Sequence, residues 1–241
     1  MAHAVWAKRD ALTTMNVTDI DLPPLADGAV RLKVESFAVT ANNVTYAVHG
    51  EDFAYWRFFP APEGHGIVPV WGFARVNESK ADGISVGQRF FGYWPMGAVA
   101  VLTPVQVSAH GFTDGAAHRS GLPPFYNRYN PASPAWGDEA LQCLFRPLYA
   151  TSFLIDCLVA SRPVDTLLLS SASSKTALGV AQALARREVG DEVEPARRLR
   201  ERLAADDARA RLGREVVGHQ KRGEHAVLGP EGRAERGRDD R

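Results

Sequence analysis

Every Trp, Tyr and Phe in this 241-residue chain lies at or before Phe153. A large buried core needs big apolar side chains, so a core of that kind can form only ahead of that point. From Glu188 to Arg241 there are 12 Arg, 1 Lys and 13 Asp or Glu against nine Val or Leu, with no Ile or Met. Such a stretch buries too little apolar area to offset its own ordering entropy. Residues 188–241 are therefore expected to form a charged, low-complexity tail, disordered or loosely helical, with i,i+4 pairs around Glu201. The formal net charge of zero averages two unlike mixtures.

Ahead of the tail, residues 29–40 alternate apolar and polar side chains, which predicts a half-buried strand. Residues 42–50 read as a short helical or looped segment stopped by Gly50. Residues 68–77, 86–93, 97–102 and 105–107 read as further short strands punctuated by Gly and Pro. Together they predict an all-β unit over residues 1–112. Residues 121–135, rich in Pro, Tyr and Asn, carry a loop signature. Helical spacing follows over residues 138–160, with Leu141, Leu144, Leu148, Ser152 and Ile155 near one face. Residues 164–169 read as a short buried strand and residues 175–187 as a helix. Strand, small-residue turn and helix open a βαβ unit, and the next parallel strand should follow within a few residues. None reads there. The fold class expected is mixed α/β.

Several of these residues carry a family likeness. Tyr46 and Gly50, then residues 71–76, then the "GxxVGxRVxG"-like stretch over residues 83–92, resemble the catalytic-domain pattern of medium-chain dehydrogenase/reductases. More narrowly, the Tyr126-Asn127-Arg128-Tyr129 loop and residues 170–179 make the chain similar to a bacterial and fungal family known only as a domain of unknown function, related to quinone oxidoreductases. The resemblance covers about residues 3–187. It implies a GroES-like β-barrel over residues 1–112, then a connector helix and the first βα unit of a Rossmann domain over residues 113–187. A full Rossmann domain would continue past Arg187, so the chain is expected to be truncated or frameshifted near that point. By resemblance the function is that of an NAD(P)H-dependent, zinc-independent reductase of a carbonyl or activated alkene, NADPH being slightly favoured. The alternative is a non-catalytic fragment or small-molecule binding module that keeps only the barrel.

Each candidate site has a plain structural reading beside it. Residues 170–179 occupy a phosphate-loop position, where small residues let backbone N–H groups approach a pyrophosphate at a helix N-terminus. The cofactor-binding candidates are Ser171, Ser173, Ser174, Lys175, Thr176 and Gly179. The G-x-G-x-x-G pattern is absent, however, and Ser173 or Ser174 equally suits a helix cap. A triphosphate P-loop lacks both of its glycines here. Tyr46 matches a position where relatives carry an active-site tyrosine, whose phenol could bind a substrate carbonyl or donate a proton; a satisfied buried tyrosine reads the same. Asn42 and Asn43 could orient substrate, or form a turn. Tyr126 and Tyr129 could line a substrate entrance, or belong to a structural loop.

His65 falls where zinc-dependent relatives place a ligand segment, but Gly66 stands where the following glutamate would be. No metal site is expected, since zinc catalysis needs three convergent protein ligands. Cys143 and Cys157 are too few for a disulfide scaffold, and a reducing, cytoplasmic setting is the default. The neutral balance predicts no pull toward nucleic acid, and no apolar run reads as the roughly 20 residues that span a bilayer. The partner expected is a small-molecule substrate. An unpaired strand at 164–169 would in addition favour homo-oligomers or aggregation.

Overall fold

In the computed structural model, residues 2–188 are described, apart from 163, 165 and 172. The 188–241 tail, beyond Glu188 itself, lies outside the described residues. The chain divides into two units, the first taking in Met1–Phe153 and Leu169–Ala183, the second Leu154–Leu168 and Leu184 onward.

The first unit is dominated by antiparallel strands. Strands β1 (Ala2–Lys8) and β2 (Ala11–Ile20) form a hairpin, and β4 (His65–Ile67) pairs with β1 on its other edge. A curled sheet of seven strands contains β3 (Val30–Ala38), β5 (Pro69–Ser79), β6 (Arg89–Pro95), β7 (Val99–Leu102), β8 (Pro104–Ser108), β9 (Gly111–Asp114) and β10 (Arg128–Pro131). Its order is β7-β3-β5-β6-β10-β9-β8. Helix α1 (Ala41–Val48) follows β3, and α2 (Pro124–Asn127) is a single turn ahead of β10. The strands expected over 29–40, 68–77 and 86–93 and the short helix at 42–50 are thus present. Strands β1, β2, β4, β9 and β10 were not foreseen.

The central strands are buried on both faces, because period-two alternation sends successive side chains to opposite sides. Along β5 and β6, Val70, Ala74, Phe90 and Trp94 join one core with Leu32, Leu102, Phe112 and Tyr129. Trp71, Phe73, Phe91 and Tyr93 join another with Tyr46, Trp56, Phe58 and Cys143. Gly72 and Gly92 face each other across the β5–β6 pair. Neither position has room for a side chain: a Cβ at Gly72 would lie 2.1 Å from the Ser36 carbonyl oxygen, and one at Gly92 2.3 Å from the Tyr129 ring. Trp56, 4% exposed, fills a slot between two other glycines. A Cβ on Gly50 or Gly66 would come within 2.1 or 2.3 Å of its indole.

A fully buried ion pair ties the stretch after β9 to the sheet. Arg119 Nε lies 2.9 Å from Asp114 Oδ2, both side chains being 1% exposed. Arg119 Nη1 also donates to the Tyr129 hydroxyl at 2.9 Å, and its guanidinium sits 4.6 Å from the Phe59 ring. Asp114 Oδ1 accepts from the backbone of Thr103 and Ala116.

Helix α3 (Glu139–Ala160) starts against the seven-stranded sheet, where Arg89 of β6 holds Glu139. Asp138 caps it by accepting from Leu141 N at 3.0 Å. The buried face of its first half carries Gln142 and Cys143, while Leu141, Phe145 and Tyr149 are exposed. Leu141 therefore lies off the face expected for it; Leu144 and Leu148 are half-buried and Ser152 is buried. The helix holds Pro147. Its 22 residues, with a mean hydropathy of 1.4 over the best window, are long and apolar enough to cross a membrane, by length and composition. The expectation that no apolar run approaches that length does not hold for this helix, which carries Arg146 and Asp156 within it.

Helix α4 (Lys175–Glu188) forms as expected. Gly179 lets it approach α3, since a Cβ there would lie 2.5 Å from Ser152 Oγ. The strand expected over 164–169 is absent: its described residues are irregular and exposed, Leu168 to 91%. A parallel strand is stable only between hydrogen-bonded neighbours under a cover of helices, and no neighbour occurs among the described residues. In the second unit, Asp156 pairs with Arg187.

Candidate functional site

Tyr46 reaches its position through the capping of α1. Thr40 Oγ1 accepts from Asn42 N at 3.3 Å, and Asn43 Oδ1 accepts from Thr40 N at 2.6 Å, a reciprocal box that fixes the first turn. Asn43 Nδ2 donates to the Pro69 carbonyl at 2.8 Å, which pins the helix to the start of β5. Its amide is thereby engaged at both ends. Asn42, one turn ahead of Tyr46, is half-buried.

The Tyr46 side chain is 6% exposed. Its hydroxyl accepts from Trp71 Nε1 at 3.3 Å, which leaves the phenolic O–H free to donate elsewhere. Around it stand the rings of Tyr55, Tyr93 and Tyr126, with centroids 4.7, 5.5 and 6.5 Å away. Burial pushes the Tyr46 phenol above its ordinary value, the bond from Trp71 opposing this in part. At neutral pH it is a protonated donor. The Tyr93 hydroxyl is buried in the same cluster with no hydrogen-bond partner among the described residues. Tyr55 and Tyr126 bring their hydroxyls to 3.5 Å.

Beside Tyr46 lies a narrow cleft lined by Thr40, Asn42, Trp71, Cys143, Leu144 and Pro147, among others. Its lining contains no carboxylate, ammonium or guanidinium. Its free space is about 10 Å³, room for a single water. Burial raises the Cys143 thiol to about 11, so it is no nucleophile near neutrality. A larger opening of about 420 Å³ lies in the second unit, lined by Arg162, Thr166, Leu184 and Arg187 among others. The smaller cleft is the one that adjoins the buried phenol of Tyr46.

The structure thus brings together Asn42, Asn43, Tyr46 and Tyr126. Tyr129 is elsewhere: fully buried in β10, it stacks on Phe112 and its hydroxyl donates to the Tyr93 carbonyl at 2.9 Å. With Arg119 donating to the same oxygen, nothing is left for a substrate. Trp71, Tyr55, Tyr93 and the α3 wall were not read from the sequence. The two strand residues could have been, since Trp71 and Phe73 share one phase of β5, as Phe91 and Tyr93 share one of β6.

The serine-rich segment has other duties. Ser174 Oγ caps α4 by accepting from Ala177 N at 3.1 Å, and its own N–H donates to the Ser171 carbonyl. The Thr176 carbonyl accepts from Ser152 Oγ at 2.8 Å, and Gly179 serves the packing of α4 on Ser152. Ser171, Ser173 and Lys175 are exposed. A dinucleotide cradle needs the carboxyl end of a strand beside the helix N-terminus. No described residue ahead of this loop belongs to a strand after β10, so the described residues do not fit a dinucleotide. Among them there is also no group of three or more His, Cys, Asp or Glu that could hold a metal ion. His65 packs its ring on Trp6, with Nδ1 3.1 Å from the Glu63 carbonyl.

The family model described as "Protein of unknown function (DUF2855)" matches residues 37–200. Among solved structures, an enoyl thioester reductase from Candida tropicalis, in a mutant form, aligns at 10% identity and a TM-score of 0.42, over 75% of this chain and 50% of that one. A quinone oxidoreductase from Pseudomonas syringae pv. Tomato DC3000 aligns at 12% identity and a TM-score of 0.39, over 84% of this chain and 57% of that one. The chain spans about half the length of the solved structures it matches. No curated protein matches it.

Proposed function

Since the chain belongs to the DUF2855 family of proteins of unknown function, we propose that it forms the substrate side of a zinc-independent oxidoreductase of the medium-chain dehydrogenase/reductase type. On this reading the strand-rich part is a GroES-like barrel, and the substrate is a neutral carbonyl compound or activated alkene. The observation that carries the proposal is the Tyr46 hydroxyl, buried, protonated and held by Trp71 Nε1 through its oxygen. A phenol bound in that way has one remaining function, to donate. A substrate carbonyl in the cleft would receive that hydrogen bond, and the bond would tighten as negative charge grows on the oxygen during reduction. Asn42 supports the same oxygen from one helical turn away. An ionised substrate would be disfavoured by a lining without compensating charge.

Reduction also takes a hydride, and a nicotinamide, NADPH more than NADH, is its natural source in such chemistry. The described residues form no cradle for it, so the chemistry assigned to this chain is the proton side alone. The two cysteines, both buried and neither in a disulfide among the described residues, suit a reducing compartment such as the cytoplasm.

The test is direct. The purified chain is mixed with a neutral enone, and the carbonyl stretch of the bound enone is read by difference infrared spectroscopy. A shift to lower frequency is expected, as a carbonyl that accepts a hydrogen bond shows, and Tyr46→Phe should abolish it. An unshifted stretch, or the same shift with Tyr46→Phe, would overturn the proposal in favour of a small-molecule binding module.

A further inference from the structure

The cleft beside Tyr46 is closed: about 10 Å³ admits a water and no carbonyl compound. One wall is the barrel, through Ala38, Thr40 and Trp71; the other is the first half of α3, through Cys143, Leu144, Pro147 and Leu148. A ligand therefore enters only if these walls separate, and two features bear on how they would. The first is a charged clasp at the start of α3. Arg89 of β6 grips Glu139 with both terminal nitrogens, at 2.7 and 2.9 Å, while its Nε donates to Glu35 Oε2 at 2.6 Å. Glu35 is held in turn by Arg75 Nε at 2.6 Å. Both carboxylates are shifted to lower proton affinity, Glu139 by its bonds to Arg89 and Glu35 by Arg89 and Arg75 against the opposing cost of burial. Arg146, two turns along the helix, adds to the clasp by lying 4.4 Å from the Phe91 ring and 4.7 Å from that of Trp136.

The second feature is a weak point in the helix just past the clasp. Pro147 has no N–H to give to the Cys143 carbonyl, so one rung of the helical ladder is missing where α3 forms the cleft wall. Thr151 Oγ1 and Ser152 Oγ then bond back to the Pro147 and Leu148 carbonyls, at 3.2 and 3.1 Å, an arrangement that bends helices. The segment from Glu139 to Pro147 is thus fastened at its start and interrupted at its end.

We infer that Arg89 is a positioning residue for the Tyr46 site: its grip on Glu139 keeps the first half of α3 against the barrel, and its release lets that segment swing about Pro147 and open the cleft. The inference rests on the reading of this cleft as the binding site, but its test needs no substrate. Cys143 lies on the moving wall, 5% exposed, and serves as a reporter. Cys157, 1% exposed and beyond the bend, serves as an internal control for general unfolding.

The full chain is exposed at one fixed pH to N-ethylmaleimide and, in parallel, to the smaller methyl methanethiosulfonate; modification of each cysteine is timed by peptide mass spectrometry, and each rate is read as the ratio of the larger reagent to the smaller, so that a change in the proton affinity of Cys143 on loss of the Glu139 charge cancels. Glu139→Gln, at a half-buried position that leaves Arg89 its bond to Glu35, is expected to speed alkylation of Cys143 about 3- to 10-fold, a gain in keeping with a partly exposed bidentate pair. Cys157 is expected to keep its rate. In 1 M NaCl the wild-type Cys143 rate should rise toward that of the variant, because salt screens the clasp. Pro147→Ala, which restores the missing N–H, should slow Cys143 alkylation. An unchanged Cys143 rate in Glu139→Gln, or equal acceleration of both cysteines, overturns the inference. An unshifted carbonyl stretch of the enone alone touches only the proposed function and leaves these rates as expected.

Discussion

Raising the pH should unfold this protein through its tyrosines. Four of its six, Tyr46, Tyr93, Tyr126 and Tyr129, hold their protons more tightly than the ordinary value of 10.0, in each case chiefly because burial penalises the phenolate. For Tyr129 the value reaches about 12. The unfolded chain releases these protons near pH 10 while the folded one keeps them. The stabilising effect of the neutral phenols is therefore complete below about pH 10 and is lost as the pH climbs toward the folded values. Each phenol withdraws about 1.4 kcal/mol per pH unit above its unfolded value. Tyr93, Tyr126 and Tyr129, whose values rise furthest, together withdraw about 4 kcal/mol by pH 11, close to the whole stability of a marginal domain, about 5 kcal/mol. Absorbance at 295 nm and far-ultraviolet circular dichroism, recorded together from pH 8 to 12.5, make the assay. The expected result is a cooperative step between about pH 11 and 12 in which phenolate absorbance and loss of structure coincide. Gradual ionisation of all six tyrosines near pH 10 with the fold intact would refute the argument, since it would mean that the cluster is open to solvent.

Other expectations follow from single side chains. Tyr93→Phe removes a buried hydroxyl that has no partner, so it should stabilise the fold by about 1 kcal/mol in urea melts; a loss of stability would reveal a hidden partner. Arg119→Met leaves Asp114 as a buried charge without its counterion and strips a donor from Tyr129, and should cost about 3–5 kcal/mol. A loss below about 1 kcal/mol would show that water reaches Asp114 on substitution.

Several strands were legible because their surroundings match their periodicity. In β3 Val30, Leu32 and Val34 are buried at alternate positions, and the turn before β6 needs Gly83 and Gly87, both at positive φ. Strand β2 was not legible, since most of its residues are exposed on either face and no alternation is left to see. Its status as a strand comes from pairing with β1, a non-local fact. The opposite error arose at 164–169, where an apolar run signals a preference for burial but not the neighbours that would satisfy it. At the candidate site, Tyr46 could be picked out by its place in a motif. The duty of Asn43 could not, because its partner, the Pro69 carbonyl, is 26 residues away. The α3 wall was hidden for another reason: apolar residues occur all around its first turns, so spacing alone does not choose which face meets the sheet.

The Trp56 slot bears on what this site could become. The space a side chain would need at Gly66 is taken by the Trp56 indole ring. A carboxylate at position 66 is thus out of reach by one substitution, since Trp56 must shrink first, and shrinking it alone empties a cavity under Arg9, whose guanidinium lies 5.9 Å from the ring. The two changes are each harmful and jointly more tolerable, a strongly non-additive pair. The aromatic wedge acts in this way as a ratchet, holding position 66 to glycine whatever else drifts around it.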